Sequence, residues 1–205
     1  MGRLVVGTFL TLDGVMQAPG GPDEDREGGF EHGGWSATYF DERMGQIMDE
    51  WVGGADALLL GRKTYEIFAA HWPRVPGDDP MAARLNSLRK YVVSRTLKTA
   101  TWNNTVLLGP DVAGEVTKLK RQPGEIQVAG SGALIQALMK HDLVDAYRLW
   151  IFPVVLGSGK RLFGEGTIPA GLRLVETVTS TTGVVLHVYE RAGKVTYGSF
   201  ALAGA

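Results

Sequence analysis

At 205 residues the chain is long enough to bury one sizeable core, and no linker divides it. Its 21 Lys and Arg stand scattered against 22 Asp and Glu, for a net charge of −1, so there is no basic stripe of the kind nucleic acid requires. The absence of cysteine excludes disulfides, thiolate zinc sites and a Cys nucleophile and suits a reducing cytoplasm; His32, His71, His141 and His187 show no H-x-x-x-H spacing, so no metal is expected.

The first element is the β-prone run Leu4 to Leu10, apolar enough to be buried on both faces, and it ends at Thr11-Leu12-Asp13-Gly14. Val15 to Trp35 is rich in Gly, Pro and acid and reads as a long loop, either a mobile lid or a disordered insertion. Ser36 can cap a helix to about Val52, with Phe40, Met44, Ile47, Met48 and Trp51 on one face. Ala57 to Leu60 is a short strand running into Gly61-Arg62-Lys63-Thr64-Tyr65-Glu66 and a helix to about Trp72. Met81 to Arg89 is helical, and Lys90 to Val93 is a strand ending at Ser94-Arg95-Thr96. That trio is either plain surface or a phosphate-monoester site, because Arg offers a planar fork of donors beside two hydroxyls.

Val106 to Leu108 is a further strand and Asp111 to Arg121 a helix with acid at its start and base at its end. In Ile126 to Met139 a β-like run enters Gly130-Ser131-Gly132 and a helix leaves it, a turn that is either ordinary or an anion site aimed by the helix dipole. Asp145 to Val155 reads as a long strand followed by the turn Leu156-Gly157-Ser158-Gly159. Leu172 to Ser180 and Val184 to Arg191 alternate at period two about Thr181-Thr182-Gly183, a hairpin. Residues 1–191 form one domain and 192–205 a tail.

The repeated strand-helix order closed by a hairpin predicts an α/β, three-layer αβα fold with a mixed, mainly parallel sheet. Ligands of such sheets bind at the carboxyl ends of strands, where Asp13-Gly14, Gly61-Arg62, Ser94-Arg95 and Gly130-Gly132 all fall. The serines between glycines, Ser131 and Ser158, raise a hydrolase, but neither sits in G-x-S-x-G. The apolar run Leu149 to Leu156 is too short to span a bilayer, and Met1 to Val6 carries no signal-peptide core, so a cytoplasmic protein without a membrane partner is expected.

Taken together, Thr11-Leu-Asp-Gly14, Leu60-Gly-Arg-Lys-Thr-Tyr-Glu66, Val93-Ser-Arg-Thr96, Ala129-Gly-Ser-Gly132 and Pro153-Val-Val-Leu-Gly-Ser-Gly159 followed by Leu162-Phe163 resemble the dihydrofolate reductase-like superfamily. Within it they are most similar to the reductase domain of the bifunctional riboflavin-biosynthesis deaminase/reductase (RibD C-terminal), from Thr11 to about Arg191. The resemblance implies NADPH as cofactor and an oxidoreductase acting on a small pyrimidine- or pterin-like nitrogen heterocycle, or a silent NADP-binding module of the same fold. It implies that Gly61, Arg62 and Thr64 with Gly130, Ser131, Gly132, Ala133 and Leu134 hold the pyrophosphate, and that Ser94, Arg95 and Thr96 take the adenosine 2′-phosphate. Thr11 to Met16, Gly14 included, would line the hydride-transfer site, with Asp13 either polarising or protonating the substrate or serving as a turn residue. A homodimer through the hairpin and the strand containing Trp150, Ile151 and Phe152 is implied as well. The chain lacks the zinc deaminase signature H-x-E with P-C-x-x-C, so it corresponds to the reductase part alone.

Overall fold

The computed structural model describes residues 1–201, so residues 202–205 of the expected tail lie outside the described residues. Eight strands, β1 (Arg3–Thr11), β2 (Ala57–Gly61), β3 (Arg89–Val93), β4 (Thr105–Leu108), β5 (Glu125–Ala129), β6 (Ala146–Phe152), β7 (Gly171–Thr179) and β8 (Val185–Gly193), form one sheet in the order β4-β3-β2-β5-β1-β6-β8-β7. The first six run parallel, and β8 enters antiparallel between β6 and β7. Among the described residues five α-helices connect them: α1 (Glu42–Gly54), α2 (Arg62–His71), α3 (Pro80–Ser87), α4 (Val112–Leu119) and α5 (Gly132–Lys140). The fold is the expected mixed, mainly parallel sheet between helical layers, closed by an antiparallel hairpin.

Alternation along the strands distributes the core. Leu4, Val6 and Leu10 of β1 join Leu59, Val128, Leu149 and the α5 residues Leu134, Ile135 and Leu138 on one face, together with Val116 of α4. On the opposite face Trp150 and Phe152 meet Met44 and Ile47 of α1, while Leu58, Leu60 and Val92 meet Tyr65 of α2 and Leu85 of α3. Each fully buried aliphatic side chain contributes about 1.5–3 kcal/mol, which is why β1, apolar on both faces, lies inside the sheet and not at an edge.

This distribution also locates the site. The chain leaves β1 towards α1 on one face and leaves the adjacent β5 towards α5 on the other. Neighbouring strands whose connections depart to opposite faces open a crevice at their carboxyl ends. The crevice is deepened by register: β5 stops at Ala129 opposite Gly7, whereas β1 continues to Thr11.

Three expectations need correction. The first long helix is capped not by Ser36 but by Asp41, whose side chain accepts the Met44 N–H at 2.9 Å, while the Ser36 hydroxyl donates to Pro19 O at 2.7 Å. Trp150 and Phe152 are buried at 3% and 0% exposure under α1 and the 15–35 segment, so these two residues are not the exposed part of the expected face; on the hairpin, Leu172, Leu174 and Val175 of β7 are exposed. The 15–35 loop is neither a disordered insertion nor loose over the core. Val15, Ala18, Phe30 and Trp35 are buried with Phe152 and Leu186, and the Trp35 Nε1–H donates to Gln17 O at 2.8 Å. It is a strap, fastened across the carboxyl end of the sheet.

Candidate functional site

Two helices start at the crevice and differ from the rest. Helices α1, α3 and α4 begin at Asp41, Asp79 and Asp111, each carboxylate accepting a first-turn N–H, from Met44, Ala82 and Gly114. Helices α2 and α5 begin at Gly61 and Ser131 with no side-chain cap. Their first turns therefore present N–H groups and the positive ends of two helix dipoles without an internal acceptor, an arrangement suited to an anion.

The two ends are tied together. The Ser131 Oγ accepts the Gly61 N–H at 2.9 Å and donates to Ala129 O at 3.0 Å, and the Thr64 Oγ1 accepts the Ser131 N–H at 3.1 Å. Ser131 can do this because its backbone is left-handed, φ 60° and ψ 47°, which turns the side chain out of the cap position and towards β2. Gly130 before it is also left-handed, φ 51°, and a Cβ there would stand 3.4 Å from the Thr64 hydroxyl oxygen. A Cβ on Gly132 would meet the Met16 sulfur at 3.2 Å, so the strap closes directly onto the start of α5. The structure thus brings Gly61, Thr64, Gly130, Ser131 and Gly132 into one cluster, with Ala133 and Leu134 in the same first turn of α5. It uses the Ser131 hydroxyl as a brace, which leaves it unsuited to act as a nucleophile. Arg62 lies at the start of α2, where it pairs with Glu66 at 2.9 Å on the helix surface.

Ser94, Arg95 and Thr96 follow β3, whose Val93 is registered with Gly61, so they sit one strand further out along the same carboxyl edge. The Ser94 hydroxyl accepts the Thr96 and Leu97 N–H groups at 3.1 and 2.9 Å and thereby fixes the turn. Arg95 is exposed and engages no carboxylate among the described residues.

Thr11, Asp13 and Gly14 form the turn after β1. The Asp13 carboxylate accepts from the Thr11 hydroxyl at 2.6 Å and from the Gly157 and Leu156 N–H groups at 2.9 and 3.2 Å, and Arg161 adds a contact at 3.4 Å. The Thr11 hydroxyl bond is the largest influence on its pKa; burial opposes it, the two N–H groups assist it, and the group is lowered to about 2. At neutral pH Asp13 is a carboxylate with its acceptor positions filled. It clamps the β1 turn to the turn after β6, and in this arrangement it has no proton to give.

Sequence reasoning left out the strap's polar anchor. Gln17, buried at 4% exposure, donates to Asp25 O and Glu27 O at 3.0 and 2.9 Å and accepts the Lys160 N–H at 3.0 Å. Around it Asp25 and Glu27 bind Lys63 of α2 and Lys160 in four ion pairs of 2.5–3.3 Å. Lys160 holds the Glu27 carboxyl below its ordinary range, with Lys63 assisting. Gln17, between Met16 and Ala18, gave no sign of these contacts, since Lys160 lies 143 positions from it and 133 from Glu27.

The RibD C-terminal domain family matches residues 3–186. The protein YyaP of Bacillus subtilis (strain 168) is 32% identical over 197 residues, which cover 93% of this chain and 96% of that protein. In structure the chain is similar to a diaminohydroxyphosphoribosylaminopyrimidine deaminase/5-amino-6-(5-phosphoribosylamino)uracil reductase from Thermotoga maritima, with a TM-score of 0.61 at 13% identity, over 93% of this chain and 57% of that one. It is also similar to dihydrofolate reductase from Enterococcus faecalis complexed with NADP(H) and RAB-propyl, with a TM-score of 0.59 at 13% identity, over 93% of this chain and 96% of that one. Those two likenesses speak for the fold. The family match across both the crevice and the clamp carries the assignment: the chain belongs to the RibD C-terminal domain family and has the dihydrofolate reductase-like fold.

Proposed function

We propose that the protein is an NADPH-dependent reductase that delivers hydride to a small, planar nitrogen heterocycle of the pyrimidine or pterin kind, similar to 5-amino-6-(5-phosphoribosylamino)uracil reductase. The observation that carries this reading is the pair of uncapped helix starts, α2 and α5, braced against each other at the carboxyl ends of adjacent strands. Their free N–H groups suit a pyrophosphate, and the glycines at 61, 130 and 132 let it approach the backbone. Arg95, exposed and without an acidic partner one strand further out, suits a phosphate monoester such as the adenosine 2′-phosphate. When bound, NADPH supplies the hydride; the protein's part is to hold both reactants in register.

Tryptophan quenching on titration with NADPH and NADH tests this, because Trp35 lies in the strap. The expected result is tight binding with a clear preference for NADPH. Arg95→Ala should weaken NADPH roughly tenfold or more while barely changing NADH, from the loss of a charge-assisted contact. An equal loss for both cofactors would remove the 2′-phosphate assignment. A second reading, a nucleotide-binding module without turnover, draws on Asp13: the group best placed by sequence to serve as acid is ionised and saturated. Cofactor binding without NADPH oxidation across a panel of pyrimidines and pterins would select it.

A further inference from the structure

Lys63 is the second residue of α2, in the first turn of an uncapped helix start, and its ammonium is held by two acids of the strap. It lies 2.5 Å from Glu27 Oε2 and 3.3 Å from Asp25 Oδ1, both on the strap. Lys160 binds the same two carboxylates, at 2.6 Å to Asp25 and 2.7 Å to Glu27. The cluster is neutral, two cations to two acids, and it joins α2, the strap and the segment after β6. The strap meanwhile rests its Met16 on Gly132, at the start of α5.

We propose that Asp25 and Glu27 are internal competitors for Lys63: they latch the strap over α2 and α5, and a phosphate-bearing ligand opens the latch by claiming Lys63 and repelling the two acids. This rests on the reading of α2 and α5 as an anion site. The physical basis is charge balance. A pyrophosphate group entering beside the neutral cluster leaves two cations facing four or more negative charges, which weakens the hold of Lys63 on the strap acids. Coupling of this kind is reciprocal, so whatever loosens the latch tightens the ligand. The Lys63 pKa, raised chiefly by Glu27, is consistent with the strength of the existing pair.

The test uses the full chain with inorganic pyrophosphate and NADPH as probes, at one fixed ionic strength because such pairs are screened by salt. Asp25→Asn/Glu27→Gln should bind pyrophosphate about three- to fivefold more tightly than the unmodified protein, the range that exposed ion pairs command. Asp49→Asn/Glu50→Gln, which makes the same charge change on exposed residues of α1, should show no gain. Lys160→Met, which leaves Lys63 still paired with both acids, should show none either. Hydrogen exchange supplies the second readout: in the unmodified protein, pyrophosphate should speed exchange of the 17–27 amides, the reverse of the slowing that simple binding produces. If the unmodified protein binds both probes and the Asp25/Glu27 variant gains nothing, the competition is overturned while the cofactor site stands. An equal gain in the Asp49/Glu50 variant overturns it too, since net charge alone would then suffice. Binding by none of these proteins removes the anion site and the latch together.

Discussion

Ser131 is where the site's geometry can be broken most cleanly. Its hydroxyl makes two hydrogen bonds, from the Gly61 N–H and to Ala129 O, and its backbone sits in the left-handed region. Ser131→Ala removes both bonds and keeps the strained backbone. At about 1 kcal/mol per net hydrogen bond, the loss is about 2 kcal/mol, with the Gly61 N–H left facing a methyl group. Ser131→Gly removes the same bonds but relaxes the left-handed residue, which returns about 1 kcal/mol, so its net loss is about 1 kcal/mol. Affinity should not follow this order. Both variants untie α2 from α5, and both should lose NADPH affinity by about fivefold, the worth of a helix-terminus interaction of about 1 kcal/mol. Urea denaturation gives the stabilities and tryptophan quenching the affinities. If Ser131→Gly is no more stable than Ser131→Ala, the left-handed strain is not there to relieve. If stability falls as expected while NADPH affinity stays intact in both, the brace supports the fold alone and the anion site does not depend on it.

Two further predictions concern proton linkage. The Asp13 carboxyl, lowered from 3.8 to about 2, stays ionised in the folded state at a pH where the unfolded chain has taken up a proton. Its contribution is therefore complete above about pH 5 and drains away as pH falls towards 2. The stability gap between the unmodified protein and Asp13→Asn, read by urea denaturation, should shrink between pH 6 and pH 3, and a gap that does not change would show that the clamp is not made by the carboxylate. Lys90 gives a linkage of the same sign at high pH, from burial of its cation. It is fully buried, with its ammonium 2.7 Å from Asn86 O, 3.3 Å from Asn103 O and 4.1 Å from the Trp102 ring centre, and burial lowers its pKa from 10.5 to about 8. Between those values the unfolded state holds more protons, so stability should rise with pH, by up to about 3 kcal/mol, and the cost is fully present below about pH 7. Lys90→Met should flatten that rise in denaturation curves taken from pH 8 to 10, and an undiminished slope would assign it to other groups.

The order of strands and helices was legible because each element carries a strong local signal. The apolar runs of β1 and β2 mark buried parallel strands, and the Leu134, Ile135, Leu138 spacing marks the inner face of α5. What failed locally failed for tertiary reasons. Ser36 and Asp41 both suit an N-cap, and nothing nearby chooses between them. The choice is made by the hairpin turn: Asp41 Oδ2 also accepts from the Thr181 N–H and hydroxyl, both at 2.7 Å, across 140 positions. Trp150 and Phe152 looked like an open apolar face because their covers, Trp35 of the strap and Trp51 of α1, come from segments distant in sequence. The strap's own composition concealed its order. Gly, Pro and acid predict loop, and they are also what allows Gly33 to lie so close to Gly21 O and Pro22 O that a Cβ there would stand 2.5 and 2.7 Å away.

The site was legible where one short motif carries both partners and illegible where a contact spans the chain. The Gly130-Ser131-Gly132 turn was visible as a break between a strand and a helix, and its role as a brace was not, since Gly61 and Thr64 lie 70 and 67 positions away. The clamp on Asp13 and the latch on Lys63 were hidden for the same reason. One signal for the site was nevertheless present throughout. Every helix start in a folded chain leaves N–H groups in need of an acceptor. Here Asp41, Asp79 and Asp111 meet that need at α1, α3 and α4, and a carboxylate in that position also repels any incoming anion. At α2 and α5 the sequence places Gly61, which has no side chain, and Ser131, whose left-handed backbone directs its hydroxyl elsewhere. Those two starts lie at the carboxyl ends of β2 and β5, where the topology opens its crevice. Had all five α-helices been capped by aspartate, the same fold would offer no uncapped helix start at that crevice; leaving these two uncapped is what makes the crevice suited to an anion.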